Sequence, residues 1–280
     1  MDAGEFFMRA YHENMQHNQI PLRATSAEGF LILAHWHNEV EILYVTSGTY
    51  NIGINDESRV LQEGEFVIAC SDDIHYFDAP PSSTHVLLIL RPDFIGCLGG
   101  WPQEVRFSTP FMTEEILADV PSDALARMDK IFRTLPNELN EKSPHFETYI
   151  KGLLYELTAL MLRHLPTVPL DKKLKSRHLN KTKTLQTILD FLEQNYKNDI
   201  NLDDLAAQLH ISPFHLARVF RTITGMNFKT FINNFRLEKA DQLLHNTRDS
   251  ITKVAFACGF GSVRTFNRVY KANKGQPPTK

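Results

Sequence analysis

Ten residues near the C-terminal end of this chain occur twice. Residues 212–221 read SPFHLARVFR and residues 262–271 read SVRTFNRVYK, so a Ser start, a large apolar residue four positions on, Arg-Val, an aromatic and a final cation return in register. Serine is a strong helix N-cap. Leu216, Val219 and Phe220, like Phe266, Val269 and Tyr270, fall on one helical face. A shorter stripe precedes each phrase: Leu202, Leu205, Ala206 and Leu209 behind Asn201, and Ile251, Val254, Ala255 and Cys258 behind Ser250. The alanines allow a close helix crossing, and Gly259 supplies a tight turn where the first copy has His210. The pattern is a helix-turn-helix built twice.

In such a unit the second helix enters the DNA major groove. With the apolar positions assigned to the core, the outward set is Phe214, His215, Ala217 and Arg218 in the first copy and Val263, Arg264, Asn267 and Arg268 in the second. Arg reads guanine bidentately, Asn reads adenine, and apolar tips meet the thymine methyl, so these eight are the expected base readers. Arg221, Lys229 and Lys271 are placed for phosphates, which set register without reading sequence. Merely solvated amphipathic helices would explain one copy but leave the duplication unexplained. Between the copies, Phe228 to His245 predicts an eighteen-residue helix, roughly 27 Å long at 1.5 Å per residue. Such a strut can hold two recognition helices about one DNA turn apart, roughly 34 Å.

Charge segregates in the same sense. Residues 179–280 carry fifteen Lys/Arg against eight Asp/Glu, and residues 1–178 fifteen against twenty-five, giving +7 and −10 within a net charge of −3. A basic module suits a polyanion; the acidic remainder does not. The three cysteines, Cys70, Cys97 and Cys258, lack metal-finger spacing, and no long apolar run suggests a membrane span, so a cytoplasmic protein is expected.

From Leu22 to about Leu90 short apolar runs alternate with turn residues: 29–34, 41–45, 50–54, 66–69 and 86–90 read as strands of a barrel or sandwich. Within them Gly29, His35, His37, Glu41 and Gly48 fall at G-x5-H-x-H-x3-E-x6-G, and Gly64 is followed eleven residues later by His75. This resembles the cupin barrel motif, with Cys70, Asp72 and Ala79 departing from its second half. The resemblance implies that His35, His37, Glu41 and His75 share one site. Glu41 lies roughly 20 Å from His35 on a straight strand, so convergence demands a reversal near Asn38 and Glu39. Three readings stay open: an effector pocket whose polar groups bind a carbohydrate or carboxylate, with Arg23 and Trp36 at its mouth; a site for Mn, Fe, Ni or Zn; or a structural cluster. No cofactor is required by the pattern.

Residues 92–111 read as a connector. Helices are predicted over 123–139 and 146–165, the second with a broad apolar stripe, and 166–178, PTVPLDKKLKSRH, as a tether. The run Phe231-Ile232, Arg236, Ala240, Leu243-Leu244, Ile251, Val254-Ala255, Cys258-Gly259-Phe260, Phe266, Arg268, Tyr270-Lys271, Gly275 and Pro277 resembles the signature of the AraC/XylS family of bacterial transcription regulators. An aromatic-Arg pair usual after the Pro is lacking. The resemblance implies an α+β chain with a cupin-like sensing barrel (1–111), a helical dimerisation element (112–165), the tether, and a DNA-binding domain (179–280) whose two units span 202–221 and 251–271. Its expected partners are an operator duplex, a small-molecule effector and a second copy of the chain; no membrane and no enzymatic role are expected. Two rivals remain: a metal-dependent cupin oxygenase or isomerase with an attached DNA module, and a passive architectural DNA binder.

Overall fold

The computed structural model describes residues 20–95, 105–169 and 186–278. Cys97 and the part of the predicted tether beyond residue 169 lie outside them. Eleven strands are described: β1 Leu22–Glu28, β2 Ile32–His35, β3 Val40–Ser47, β4 Thr49–Ile54, β5 Glu57–Gln62, β6 Phe66–Ala69, β7 His75–Asp78, β8 Thr84–Leu90, β9 Val105–Phe107, β10 Phe111–Met112 and β11 Thr167–Pro169. Helices are α1 Glu114–Leu117, α2 Ser122–Glu141, α3 Phe146–His164, α4 at 186–195, α5 Leu202–Gln208, α6 Pro213–Thr224, α7 Phe228–Asn246, α8 Ile251–Ala257 and α9 Val263–Lys274.

Two antiparallel sheets form the barrel, ordered β1-β8-β3-β6-β10 and β2-β7-β4-β5. Side-chain alternation sorts each strand between two cores. From β3, Leu43 and Val45 enter the space between the sheets with Leu87 and Ile89 of β8, while Val40, Ile42, Tyr44, Val86, Leu88 and Leu90 face the opposite way. On that outer face lie Phe132 and Leu135 of α2 and Ile150, Leu154 and Leu157 of α3. Strands covered on both faces read as unbroken apolar runs, which is why β3 and β8 were visible in the sequence. Tyr44 donates to Asp129 Oδ1 at 2.5 Å and stacks on Phe132, fastening α2 to the sheet.

The second sheet is covered by helices α4 to α7. Leu33, Ala34, Ile74 and Tyr76 share one core with Ile188, Leu189 and Leu192 of α4, Leu205 of α5, Leu216 and Phe220 of α6, and Phe231 and Phe235 of α7. The layers therefore run α2/α3, five-stranded sheet, four-stranded sheet, first helix-turn-helix. The second unit has its own core of Leu237, Ala240, Val254, Ala255, Cys258, Phe260, Phe266 and Val269.

Several expectations are corrected. The strand read at 29–34 is Ile32–His35, and β1, β5 and β7 were not anticipated. The connector at 92–111 contains a short 3-10 turn at Pro92–Ile95 and strands β9 and β10. The head of the supposed tether is β11, paired with β9 through Thr167–Phe107, Val168–Arg106 and Pro169–Val105.

Inside the barrel, Tyr50 Oη and His85 Nδ1 stand 2.6 Å apart, both side chains buried. Burial lowers the His85 pKa to about 4, with Glu41 pulling weakly the other way. The unfolded chain takes this proton below about pH 6.5 and the folded chain does not, so stability is complete above that pH and drains away as pH falls towards 4. Thermal melts between pH 7.5 and 4.5 are expected to show a falling Tm, with His85 accounting for up to about 3 kcal/mol. His85→Asn is expected to flatten that slope.

Candidate functional site

The two reading units are built as their capping chemistry dictates. Asn201 Oδ1 accepts from Asp204 N at 2.8 Å, Ser212 Oγ from His215 N at 3.2 Å, Ser250 Oγ from Lys253 N at 3.2 Å and Ser262 Oγ from Thr265 N at 3.1 Å. Each cap satisfies a backbone N–H that the first helical turn leaves without a partner. The turns between the paired helices pass through the left-handed region, His210 at φ 55° and Gly259 at φ 84°. Gly259 is doubly constrained, since a Cβ there would stand 2.6 Å from the Tyr196 carbonyl oxygen.

Phe214, His215, Ala217 and Arg218 of α6 are exposed, Phe214 at 81 %. So are Arg264, Asn267 and Arg268 of α9, whereas Val263 is half-buried in its first turn. Arg221, Lys229 and Lys271 are exposed as expected of phosphate contacts. Helix α7 has nineteen residues, roughly 28 Å. It is shared: Phe231, Ile232 and Phe235 enter the first core, Leu237 and Ala240 the second. Arg236 fixes its midpoint, donating from Nε to Tyr196 O at 2.7 Å and from Nη2 to Asn198 O at 2.8 Å. Beside Arg268 a polar groove runs between α7 and α9, lined by Asn227, Lys229, Thr230, Asn233, Asn234 and Asn273. Sequence reading missed this groove; the asparagines of α7 were its only signal.

The barrel brings its four polar residues together. The chain reverses at residues 38–39, as convergence required, passing from β2 in one sheet to β3 in the other. His35 pairs with His75 across β2 and β7, and Glu41 lies between Ala69 and Ile89 in β3. All four are at most 1 % exposed, and one ligand-capable atom from each lies within 4.8 Å of the other three. Glu41 Oε2 is 2.9 Å from His37 Nε2 and 3.4 Å from His75 Nε2. Burial pushes the Glu41 carboxyl up, but His75 and His37 together outweigh it and hold the group well below the usual carboxylate range. Burial, then the neighbouring His75, holds His35 well below an ordinary imidazole.

The backbone aims these rings. His35 Nδ1 is 2.9 Å from Leu33 O, and His75 Nδ1 is 2.9 Å from Asp73 O. A carbonyl only accepts, so both Nδ1 atoms carry the proton and both Nε2 atoms point into the cluster. His35 Nε2, His75 Nε2 and Glu41 Oε1 are buried with no hydrogen-bond partner. In their neutral form His35 and His75 direct Nε2 lone pairs towards the Glu41 carboxylate, a donor set that fits a cation, so these residues fit the metal that the barrel motif implies.

The two mouth residues lie elsewhere. Arg23 of β1 is in register with Ile89, itself opposite Glu41. It shares their face but is two strands from Glu41, about 10 Å at the ordinary strand spacing. Trp36 packs against the core shared with helices α4 to α7, because alternation turns it away from His35 and His37.

Residues 205–280 match the family described as a helix-turn-helix domain, and residues 22–158 the family described as an AraC-like ligand binding domain. An HTH-type transcriptional regulator of Bacillus subtilis, YfiF, is 26 % identical over 88 % of this chain and 77 % of its own. The HTH-type transcriptional activator RhaS of Klebsiella pneumoniae is 24 % identical over 85 % and 82 %. The crystal structure of apo ToxT from Vibrio cholerae aligns with 94 % of this chain and 97 % of its own at 12 % identity and a TM-score of 0.44.

Gly259→Ala is expected to destabilise the second reading unit by about 2 kcal/mol or more, since left-handed strain of about 1–2 kcal/mol adds to a backbone clash. A lower Tm with weakened duplex binding in titrations of the full chain is the expected result.

Proposed function

We propose, for a chain that belongs to the AraC family of transcription regulators, that α6 and α9 read successive major grooves of an operator under the control of an effector bound at the barrel cluster. The base readers are Phe214, His215, Ala217, Arg218, Val263, Arg264, Asn267 and Arg268; Arg221, Lys229 and Lys271 hold the backbone. The protein acts in the cytoplasm as a homodimer. Exposed Tyr149 and Tyr155 on α3, whose other face packs on the barrel, support that helix as the contact between copies. A carbohydrate is the effector class that the polar donor set first suggests.

One observation carries the coupling. Tyr76 of β7 is buried between Gly53 of β4 and Gly225, the left-handed C-cap of α6. A Cβ on Gly225 would stand 2.6 Å from the Tyr76 ring, and one on Gly53 would stand 1.9 Å from it. Its neighbour His75 points the opposite way, into the cluster. A shift of β7 that re-seats His75 therefore moves Tyr76 against the end of a recognition helix. A ligand displaces such an equilibrium only by its differential affinity for the two arrangements.

Arg218→Ala and Arg268→Ala are each expected to cost about 1–3 kcal/mol of discrimination at particular base pairs. Lys271→Ala is expected to weaken all sequences alike and reduce the salt slope by about one. Competition titrations against single-base operator variants at two salt concentrations separate these outcomes. Tyr76→Ala is expected to retain operator binding while abolishing its response to effector; an unchanged response would rule out this route.

A further inference from the structure

We propose that Arg236 and the turn it grips, residues 196–198, hold the two reading units at one fixed separation, so that the chain accepts its two half-sites on the duplex at a single spacing. This rests on the reading of successive grooves by α6 and α9 and adds what sets the distance between them.

A shared strut does not by itself fix that distance. Each unit packs on its own half of α7, the first on Phe231 and Phe235 before Arg236, the second on Leu237 and Ala240 after it. Long helices curve gently under the packing on either side, so two small cores joined by one helix can rock about it. A rigid pair needs a second tie.

That tie lies at the C-terminal end of α4. The helix ends at residue 195, and the carbonyls that follow have no partner within it. Arg236 reaches across from α7 and answers two of them, Nε donating to Tyr196 O at 2.7 Å and Nη2 to Asn198 O at 2.8 Å. A cation there also meets the negative end of the α4 dipole. Arg236 is 9 % exposed, and a buried guanidinium is costly unless its donors are engaged. Its planar fork suits two carbonyls at once, where the point charge of a lysine would hold one.

The second unit rests on the same turn. Gly259, between α8 and α9, lies so close that a Cβ there would stand 2.6 Å from Tyr196 O, 2.8 Å from Lys197 Cα and 2.9 Å from Lys197 O. The Tyr196 ring meets Phe235 of the strut edge-on, centroids 5.3 Å apart. Helix α4 in turn belongs to the core of the first unit through Ile188, Leu189 and Leu192. The path between the units is thus closed: from α4 through Arg236 to α7, and from α7 through α8 and Gly259 back to the end of α4. A closed ring of packed elements resists the rocking that a lone helix allows.

On the duplex such rigidity becomes selectivity. One base pair added between the half-sites parts them by roughly 3.4 Å and turns one against the other by about 35°. Units that cannot rock cannot follow, and one recognition helix loses its groove.

The test uses the full chain and a duplex that it selects from a random library, remade with one base pair added or removed between the two protected half-sites. Wild type is expected to lose about tenfold or more in affinity at each altered spacing, and Arg236→Met to reduce that penalty to about threefold or less. Arg236→Lys, which keeps the charge and one carbonyl, is expected to fall between them. A role in fold stability alone would lower affinity for all three duplexes by one factor and leave the penalty at its wild-type size; that result overturns the proposal, as does a wild type that accepts every spacing alike. Should far-UV circular dichroism show that Arg236→Met fails to fold, Arg236→Lys carries the comparison, and the wild-type measurement stands without either. Protection of a single groove on the selected duplex sinks the reading of two grooves and this proposal with it, whereas two protected grooves with an unaltered penalty in the variants sinks the role of Arg236 alone.

Discussion

Three imidazoles and a carboxylate withdrawn from water at the centre of a barrel are the constraint on which the rest of this structure turns. Removing such groups from solvent is costly unless they satisfy one another or a bound partner. The chain meets the cost by position. His35 and His75 are fixed on opposed strands with their Nδ1 protons spent on backbone carbonyls, and Glu41 reaches them from the other sheet after the reversal at residues 38–39. The cluster thus staples the two sheets at the point where they meet, and its electrostatics depend on the register of both.

That register also decides what covers the barrel. The pairing of β2 with β7 shifts between Ile32 and His35, so Ile32 and His35 both face inward while consecutive Leu33 and Ala34 face outward. A bulge of this kind re-aims side chains without ending the strand. Here it provides an apolar patch on the back of the cluster, extended by Ile74 and Tyr76, on which α4 to α7 close. The apolar residues of α6 consequently do two tasks. Leu216 and Phe220 bind the recognition helix to its own unit and the unit to the barrel, which leaves the polar and cationic side for DNA.

How much of this was legible depended on whether the signal was local. The repeated phrase carries its own caps, stripes and turn, so both helix-turn-helix units start where they were read and their second helices run three residues beyond the expected ends, with Gly259 and His210 at the turns. The doubly covered strands β3 and β8 showed as apolar runs. By contrast β5 is an edge strand exposed along most of its length, and β1 and β7 mix polar with apolar residues, so neither periodicity nor hydrophobicity marked them. The four cluster residues were recognisable from the resemblance to the cupin motif. Their tautomers were not, because the orienting carbonyls belong to Leu33 and Asp73, whose side chains say nothing about it. Trp36 was misplaced for a simple reason: a residue between two inward histidines must point outward, and what lies outward is another domain.

The domain contact itself was invisible because it is made of absences. Gly53 and Gly225 are distant in sequence and ordinary as turn or strand glycines, yet both are needed where the Tyr76 ring lies between them. Glycine at 225 also ends α6 in the left-handed conformation, so one residue both terminates the recognition helix and receives the barrel. Close-packed interiors respond to displacement by switching between discrete arrangements rather than by bending. A ring held between two glycines has no side-chain slack to absorb motion on either side. On the proposed reading, a relaxation of β7 around His75 is passed to the C-terminal end of α6, and through the shared strut α7 to the second unit. With the cluster as the proposed sensing site, no separate transmission device is needed: the strand that carries His75 also carries Tyr76, which packs against the end of α6.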